Sequence, residues 1–296
     1  MLIAVKGIIC HCFYTEWGGW LRMLINGIEC NSITTTDRGL AYGDGLFSTI
    51  KLEFGKVIDW SFHLQRLQHG TARLFFPSFD WIVLQKEVFN AAEAVKHEAH
   101  YVLKVILTRG SGGRGYSAEG CNQVTRIIQL SPFPAQYLQW QLDGIMVVQC
   151  DMQLSRNKQL AGLKSLARLE QVLIKQELSL KDAVEGIVCD EFDHVIEACT
   201  ANIFIFIDGQ WLTPKLDYSG VAGVMRRRIM EHDAIDVVEK EITLDELKRA
   251  QCLCLTNALM GVVPVMQYED KVYSAIQRQP ITDIQRMLKQ GCEVND

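Results

Sequence analysis

Ala161-Gly162-Leu163-Lys164-Ser165-Leu166-Ala167-Arg168-Leu169-Glu170-Gln171 is the stretch on which the reading of this chain turns. Its one lysine stands where the pattern predicts a helix from about 164 to 178. Downstream, Val195-Ile196-Glu197-Ala198-Cys199-Thr200-Ala201-Asn202-Ile203-Phe204 sets one carboxylate among apolar neighbours. A carboxylate buried there needs a cationic partner. A third segment, Ser219-Gly220-Val221-Ala222-Gly223-Val224-Met225-Arg226, reads as a glycine turn opening a helix. Its first backbone N–H groups and partial positive charge would suit a phosphate. An amine that can attack an aldehyde, a carboxylate that keeps a ring nitrogen protonated and a helix N-terminus are what a pyridoxal phosphate site needs.

Four further segments add weight. They are Gly43-Asp44-Gly45-Leu46-Phe47-Ser48-Thr49, His63-Leu64-Gln65-Arg66-Leu67-Gln68, Leu103-Lys104-Val105-Ile106-Leu107-Thr108-Arg109-Gly110-Ser111-Gly112-Gly113-Arg114-Gly115-Tyr116-Ser117 and Asn257-Ala258-Leu259-Met260-Gly261-Val262-Val263-Pro264-Val265. Together with the lysine segment they resemble the fold-type-IV pyridoxal phosphate enzymes. That family includes branched-chain and D-amino acid aminotransferases and the aminodeoxychorismate lyases, and the wording here is most similar to the lyase branch. The resemblance runs from about Met23 nearly to the C-terminus.

What the resemblance implies is specific. The fold would be α+β, two-domain and D-amino acid aminotransferase-like, with the site in the interdomain cleft. Pyridoxal 5'-phosphate would be bound by Lys164 through its aldehyde and by Glu197 at the ring nitrogen. Arg66, the backbone N–H groups of Val224 and Met225, and Asn257 would take its phosphate. Asn257 or a backbone group would stand in, because Ala258 occupies the position where aminotransferases supply a threonine. A fork-shaped guanidinium suits phosphate because it donates two parallel hydrogen bonds. Thr49, or its neighbour Ser48, would assist proton delivery. Arg109 and Arg114 would meet the two carboxylates of aminodeoxychorismate, which a lyase of folate biosynthesis splits into p-aminobenzoate and pyruvate. An aminotransferase on the same fold is the alternative reading. Leu169 argues against it, because aminotransferases of this class tend to place tyrosine there. Ala167 departs from the lyases, which often carry asparagine at that position. A homodimer is also implied.

Composition bounds the remaining classes. The chain has 296 residues, 48% hydrophobic and 22% charged, ordinary values for a globular protein able to bury a large core. A net charge of −5 argues against a general nucleic-acid binder. No apolar run reaches the roughly 20 residues that span a bilayer, so no membrane partner is expected. Ten cysteines lack metal-ligand spacing and read as buried, reduced thiols of a cytoplasmic protein. His97 and His100 have no third ligand near them in sequence, and no metal site is expected.

The expected organisation is an extension over 1–22, a small α+β domain over 23–131, a linker over 132–138 and a larger α/β cofactor-binding domain over 139–296. Helices are predicted over 61–75, 79–97, 164–178, 223–232, 243–250 and 281–288. Ser131-Pro132-Phe133-Pro134-Ala135 marks the linker, since two prolines so close resist regular structure. Met23-Leu24-Ile25-Asn26-Gly27 reads as a natural start, which makes 1–22 a segment foreign to the native protein or disordered. Mass spectrometry of the native protein is expected to find no peptide from 1–22; recovery of one would end that reading.

Overall fold

The computed structural model describes residues 22–290. Two sheets organise them. The first combines β1 (Arg22–Ile25), β2 (Ile28–Glu29), β3 (Gly45–Glu53), β4 (Lys56–Val57), β5 (Tyr101–Thr108) and β6 (Thr125–Pro132). Their order is β2-β1-β6-β5-β3-β4, with every pairing antiparallel. Period-two alternation in β3 sends Ser48, Ile50 and Leu52 to one face and Phe47, Thr49 and Lys51 to the other. The helices α1 (Arg38–Tyr42), α2 (Trp60–Arg73) and α3 (Trp81–Glu93) belong to the same half. Leu67 of α2 and Leu84, Val88, Ala91 and Ala92 of α3 join Ile50, Leu52, Leu103 and Val105 in one apolar core. The opposite face of β3 is left for the site.

The second half runs α4 (Gln136–Asp143), β7 (Ile145–Gln149), α5 (Leu169–Leu180), β8 (Glu185–Cys189), β9 (His194–Ala198), β10 (Asn202–Ile207), β11 (Gln210–Pro214), α6 (Val224–Met230), β12 (Val237–Lys240), β13 (Ile242–Thr243), α7 (Leu244–Arg249), β14 (Cys252–Asn257), β15 (Gly261–Tyr268), β16 (Lys271–Val272) and α8 (Gln279–Gln290). A ten-stranded sheet holds them in the order β12-β11-β10-β14-β15-β7-β8-β9-β13, with β16 on β15. Parallel pairs β7–β8, β7–β15 and β11–β12 sit among antiparallel ones.

The structure departs from the sequence expectations at particular points. The helix expected from Lys164 begins only at Leu169, because the backbone of 164–166 is bonded to β3 instead. The helix expected over 79–97 covers Trp81–Glu93, with the Asp80 carboxylate accepting from Ile82 N as its cap. The expected linker over 132–138 is partly regular. Pro132 ends β6 and α4 begins at Gln136. Strand β15 was not anticipated at all. Of the expected extension over 1–22, residues 1–21 lie outside the described residues, whereas Arg22 opens β1 opposite Leu130. The seven described cysteines are free thiols, and all but Cys30 are buried.

The Gly43-Asp44-Gly45 turn is built around one carboxylate. Asp44 Oδ2 accepts from Arg38 Nε at 2.9 Å and from Arg109 Nε at 2.7 Å. Burial alone would raise its pKa, but the two guanidinium hydrogen bonds outweigh burial and hold it below the usual carboxylate range. The same arginines tie distant segments together. Arg109 also donates to the carbonyls of Leu74 and Phe75 beyond the end of α2, and Arg38 donates to those of Gly115, Tyr116 and Ser117. Asp44→Ala would strand two buried cations at once. Such a loss is expected to cost about 3–5 kcal/mol in urea unfolding of the cofactor-free protein; a cost below about 1 kcal/mol would mean the pairs behave as exposed surface bridges.

Candidate active site

The lysine loop is stitched on both sides. Toward the first sheet, Phe47 N donates to Lys164 O at 3.0 Å and Leu166 N donates to Gly45 O at 2.9 Å. Toward the second half, Gly162 N donates to Gly220 O at 2.9 Å and Ala222 N donates to Gly162 O at 3.0 Å. Gly162 has φ of +78°, which favours glycine. Side chains brace the same loop. Arg73 of α2 donates to the carbonyls of Ala161 and Gln159, and Arg168 donates to those of Leu163 and Ser165. Gly45 allows the approach, since a Cβ there would meet Leu166 Cδ1 at 2.5 Å.

Lys164 therefore comes from neither a helix nor a strand, and its side chain reaches the open face of β3. Its Nζ lies 4.4 Å from the centroid of the Phe47 ring, and Lys104 Nζ lies 5.1 Å from the same ring. Burial first, then the charge of Arg66, pulls the Lys164 pKa down to about 7, with Glu197 opposing. Near neutrality a large fraction of this amine is unprotonated and nucleophilic.

Glu197 stands in β9 with only 4% of its surface exposed. Its Oε2 accepts from Val221 N at 2.8 Å, and its Oε1 is 3.5 Å from Gln171 Nε2. Burial pushes its pKa up to about 7. The nearby Arg168 and Lys164 charges only partly offset that desolvation. A cation placed against it would restore the carboxylate. Gly220 makes room here, as a Cβ would approach Glu197 Oε2 at 3.3 Å.

Arg66 points from α2, and its Nη2 donates to Ser48 Oγ at 2.7 Å. Its Nε is buried with no protein acceptor, and burial lowers its pKa to about 10. Val224 and Met225 open α6, whose N-cap Gly223 offers no side-chain acceptor. A Cβ on Gly223 would fall 2.0 Å from Asn202 Oδ1. Asn202 in turn donates to Val221 O at 2.8 Å, so it shapes the turn before the helix. A small pocket open to solvent is lined by Phe47, Arg66, Arg73, Gly162, Lys164 and Ala222 among others.

The other sequence expectations divide. Asn257 has a different task. Its Oδ1 accepts from Leu259 N and Met260 N, and its Nδ2 donates to Thr200 O, so the amide is occupied by a turn and a brace. One residue earlier, Thr256 Oγ1 is buried with no partner. Thr256 pairs with Asn202 in register, so strand parity places it, rather than Asn257, on the face beneath the Gly223 turn. Arg109 is 8% exposed and all three of its guanidinium nitrogens are engaged by Asp44, Leu74 and Phe75, which removes it as a substrate ligand. Arg114 lies exposed on the loop that Arg38 holds. Thr49 lies on the open face of β3 with Phe47, whereas Ser48 is turned into the core.

Arg73, Arg168, Asn202 and Thr256 were missed. Their residue types carried no signal, because each acts through a backbone group or register partner distant in sequence. Lys164 labelling is the direct check on the amine. With a trace amine-reactive reagent, its reactivity is expected to rise with pH through a midpoint near 7. An ordinary lysine midpoint of about 10.4 would show that the side chain is not desolvated.

The comparisons with known proteins come to bear on this geometry. The amino-transferase class IV family matches residues 45–268. The chain is 36% identical over 244 residues to an aminodeoxychorismate lyase of Vibrio harveyi, covering 81% of this chain and 89% of that one. It is 25% identical over 275 residues to a D-alanine aminotransferase of Bacillus licheniformis, covering 88% and 93%. Among solved structures, the 4-amino-4-deoxychorismate lyase of Pseudomonas aeruginosa superposes with a TM-score of 0.81 at 33% identity, covering 89% of this chain and 98% of that one.

Proposed function

The chain belongs to the amino-transferase class IV family, and on that premise we propose that it is a pyridoxal phosphate-dependent lyase converting 4-amino-4-deoxychorismate to p-aminobenzoate and pyruvate. One observation carries the cofactor reading: the amine of Lys164 and the carboxyl of Glu197, both desolvated to a pKa of about 7, converge on a loop bonded to both halves. The 36% identity to a lyase supports the choice of reaction over transamination.

The residues fit the cofactor. Arg66 Nε, Thr256 Oγ1 and Ser219 Oγ are buried without partners, a set of donors suited to a phosphate. Lys164 would hold the aldehyde end, Glu197 the ring nitrogen, and Arg66 with the N–H groups of Val224 and Met225 the phosphate. When bound, the cofactor supplies an electron sink for the charge left as a substrate C–H is broken. Once the substrate amine takes its place at the aldehyde, the freed Lys164 Nζ, neutral above about pH 7, would take the proton from the substrate carbon that bears nitrogen. Glu197 keeps the proton of the ring nitrogen in place. Departure of the enolpyruvyl oxygen from the neighbouring carbon leaves an aromatic ring. The two products together contain every atom of the substrate, so no oxidant and no water is consumed. Thr49 is the hydroxyl on the open face for returning a proton to the departing enolpyruvate. With Arg109 engaged elsewhere, Arg114 and Lys104 are the cations for the substrate carboxylates.

A homodimer belongs to the same reading. Exposed Leu169, Val172 and Leu173 lie along one side of α5 and offer it an apolar face. Among the described residues no helix is long and apolar enough to cross a membrane.

The test supplies pyridoxal phosphate and generates aminodeoxychorismate in place from chorismate and glutamine. Equal yields of p-aminobenzoate and pyruvate are expected, with none from Lys164→Ala. Glu197→Gln is expected to lower turnover on the order of 100-fold while retaining much of the cofactor. Turnover of D- or L-amino acids with a keto acid, without p-aminobenzoate, would replace the lyase by an aminotransferase.

A further inference from the structure

Ser48 and His63 take no part in the chemistry above, yet they are among the most completely buried polar side chains of the first half, at 0% and 1% exposure. Ser48 Oγ stands 2.7 Å from Arg66 Nη2 and 2.7 Å from His63 Nδ1. Arginine can only donate, so the serine oxygen accepts from Arg66. Assigning the serine proton to His63 Nδ1, 2.7 Å away, leaves that nitrogen the acceptor. The imidazole is thereby the neutral tautomer with its proton on Nε2. Burial first, then the charges of Arg66 and Lys164, holds His63 well below its ordinary pKa, in keeping with a neutral ring. With that assignment the chain Arg66→Ser48→His63 runs in one direction through two buried side chains, Ser48 and His63.

We infer that the buried Ser48–His63 pair is a positioning device that fixes the Arg66 guanidinium, so that its unpartnered Nε faces an incoming phosphate ester. The inference rests on the reading of Arg66 as a phosphate ligand. An arginine is a long, rotamer-rich side chain, and holding it before the ligand arrives removes an ordering cost from binding. Ser48 and His63 supply that hold from two elements, β3 and α2, whose mutual packing is part of the core. His63 and Arg66 lie three apart on α2 and so share a side of the helix. The donor left over is Arg66 Nε. It lies on a residue that lines the pocket together with Lys164, Gly162 and Ala222.

The experiment compares two ligands that differ only in the phosphate. Cofactor-free full-length protein is titrated with pyridoxal phosphate and with pyridoxal, and both dissociation constants are read by absorbance. Ser48→Ala and His63→Leu are expected to weaken pyridoxal phosphate about tenfold while leaving pyridoxal unchanged. His63→Asn, which restores an acceptor near the Nδ1 position, is expected to recover part of the loss. Thermal melting of each cofactor-free variant confirms that it is folded. Equal weakening of both ligands would reduce the pair to a fold support and overturn the proposal, as would no weakening of either. Arg66→Met separates the two levels. If it leaves the preference for the phosphorylated ligand intact, the phosphate role of Arg66 is wrong, whatever Ser48 and His63 do. If it abolishes the preference and the Ser48 and His63 variants do not reduce it, only the positioning inference fails.

Discussion

The site depends on the backbone stitching of one loop. Residues 161–166 give hydrogen bonds to, or take them from, Gly45 and Phe47 on one side and Gly220 and Ala222 on the other. A backbone bond is short and directional, so it locates the loop far more tightly than side-chain packing alone. Through these bonds Lys164 is set against β3, while the turn leading into α6 and the Val221 N–H that meets Glu197 are set from the opposite side. The Gly43-Asp44-Gly45 motif is subordinate to this join. Gly45 leaves space for Leu166, and Asp44 locks the turn by neutralising Arg38 and Arg109.

Two kinds of buried charge result. At Asp44 each ion has its counter-ion and its hydrogen bonds, the arrangement that makes burial tolerable. At Lys164, Glu197 and Arg66 the charges are desolvated more than they are neutralised, and the pKa values move toward the neutral forms of Lys164 and Glu197. Orphaned donors at Arg66, Ser219 and Thr256 mark the same region. Buried polar groups are ordinarily hydrogen-bonded, and perturbed pKa values gather at functional sites. The contrast separates fully engaged arginines from one that is not. Arg109, Arg73 and Arg168 are engaged by carbonyls and carboxylates, and Arg66 keeps a nitrogen in reserve.

Much of this was legible beforehand. The α+β, two-domain fold followed from the resemblance to the fold-type-IV enzymes, with strand signals such as the alternation of β3 beside it, and Lys164, Glu197 and Arg66 were singled out by residue type and flanking residues. An arginine beside a glycine-rich loop looks like an anion ligand, and nothing local to Arg109 reveals that Asp44 and the end of α2 already engage it. The sequence points to Asn257 and not to Thr256, because parity in β14 is set by its pairing with β10. The start of α5 was placed five residues early, since the propensity of 164–168 is helical while its hydrogen bonds go to β3.

The amino-acid sequence by itself determined the chemical inventory: which amine, which acid, which guanidinium, and most of the helices around them. Those properties are local, arising from residue type and periodicity. Tertiary structure alone decided which charges are neutralised, which hydroxyl faces the core and which donors stay free. Each of those outcomes is a balance between desolvation and a partner far away in the chain, and no stretch of residues contains both sides of it.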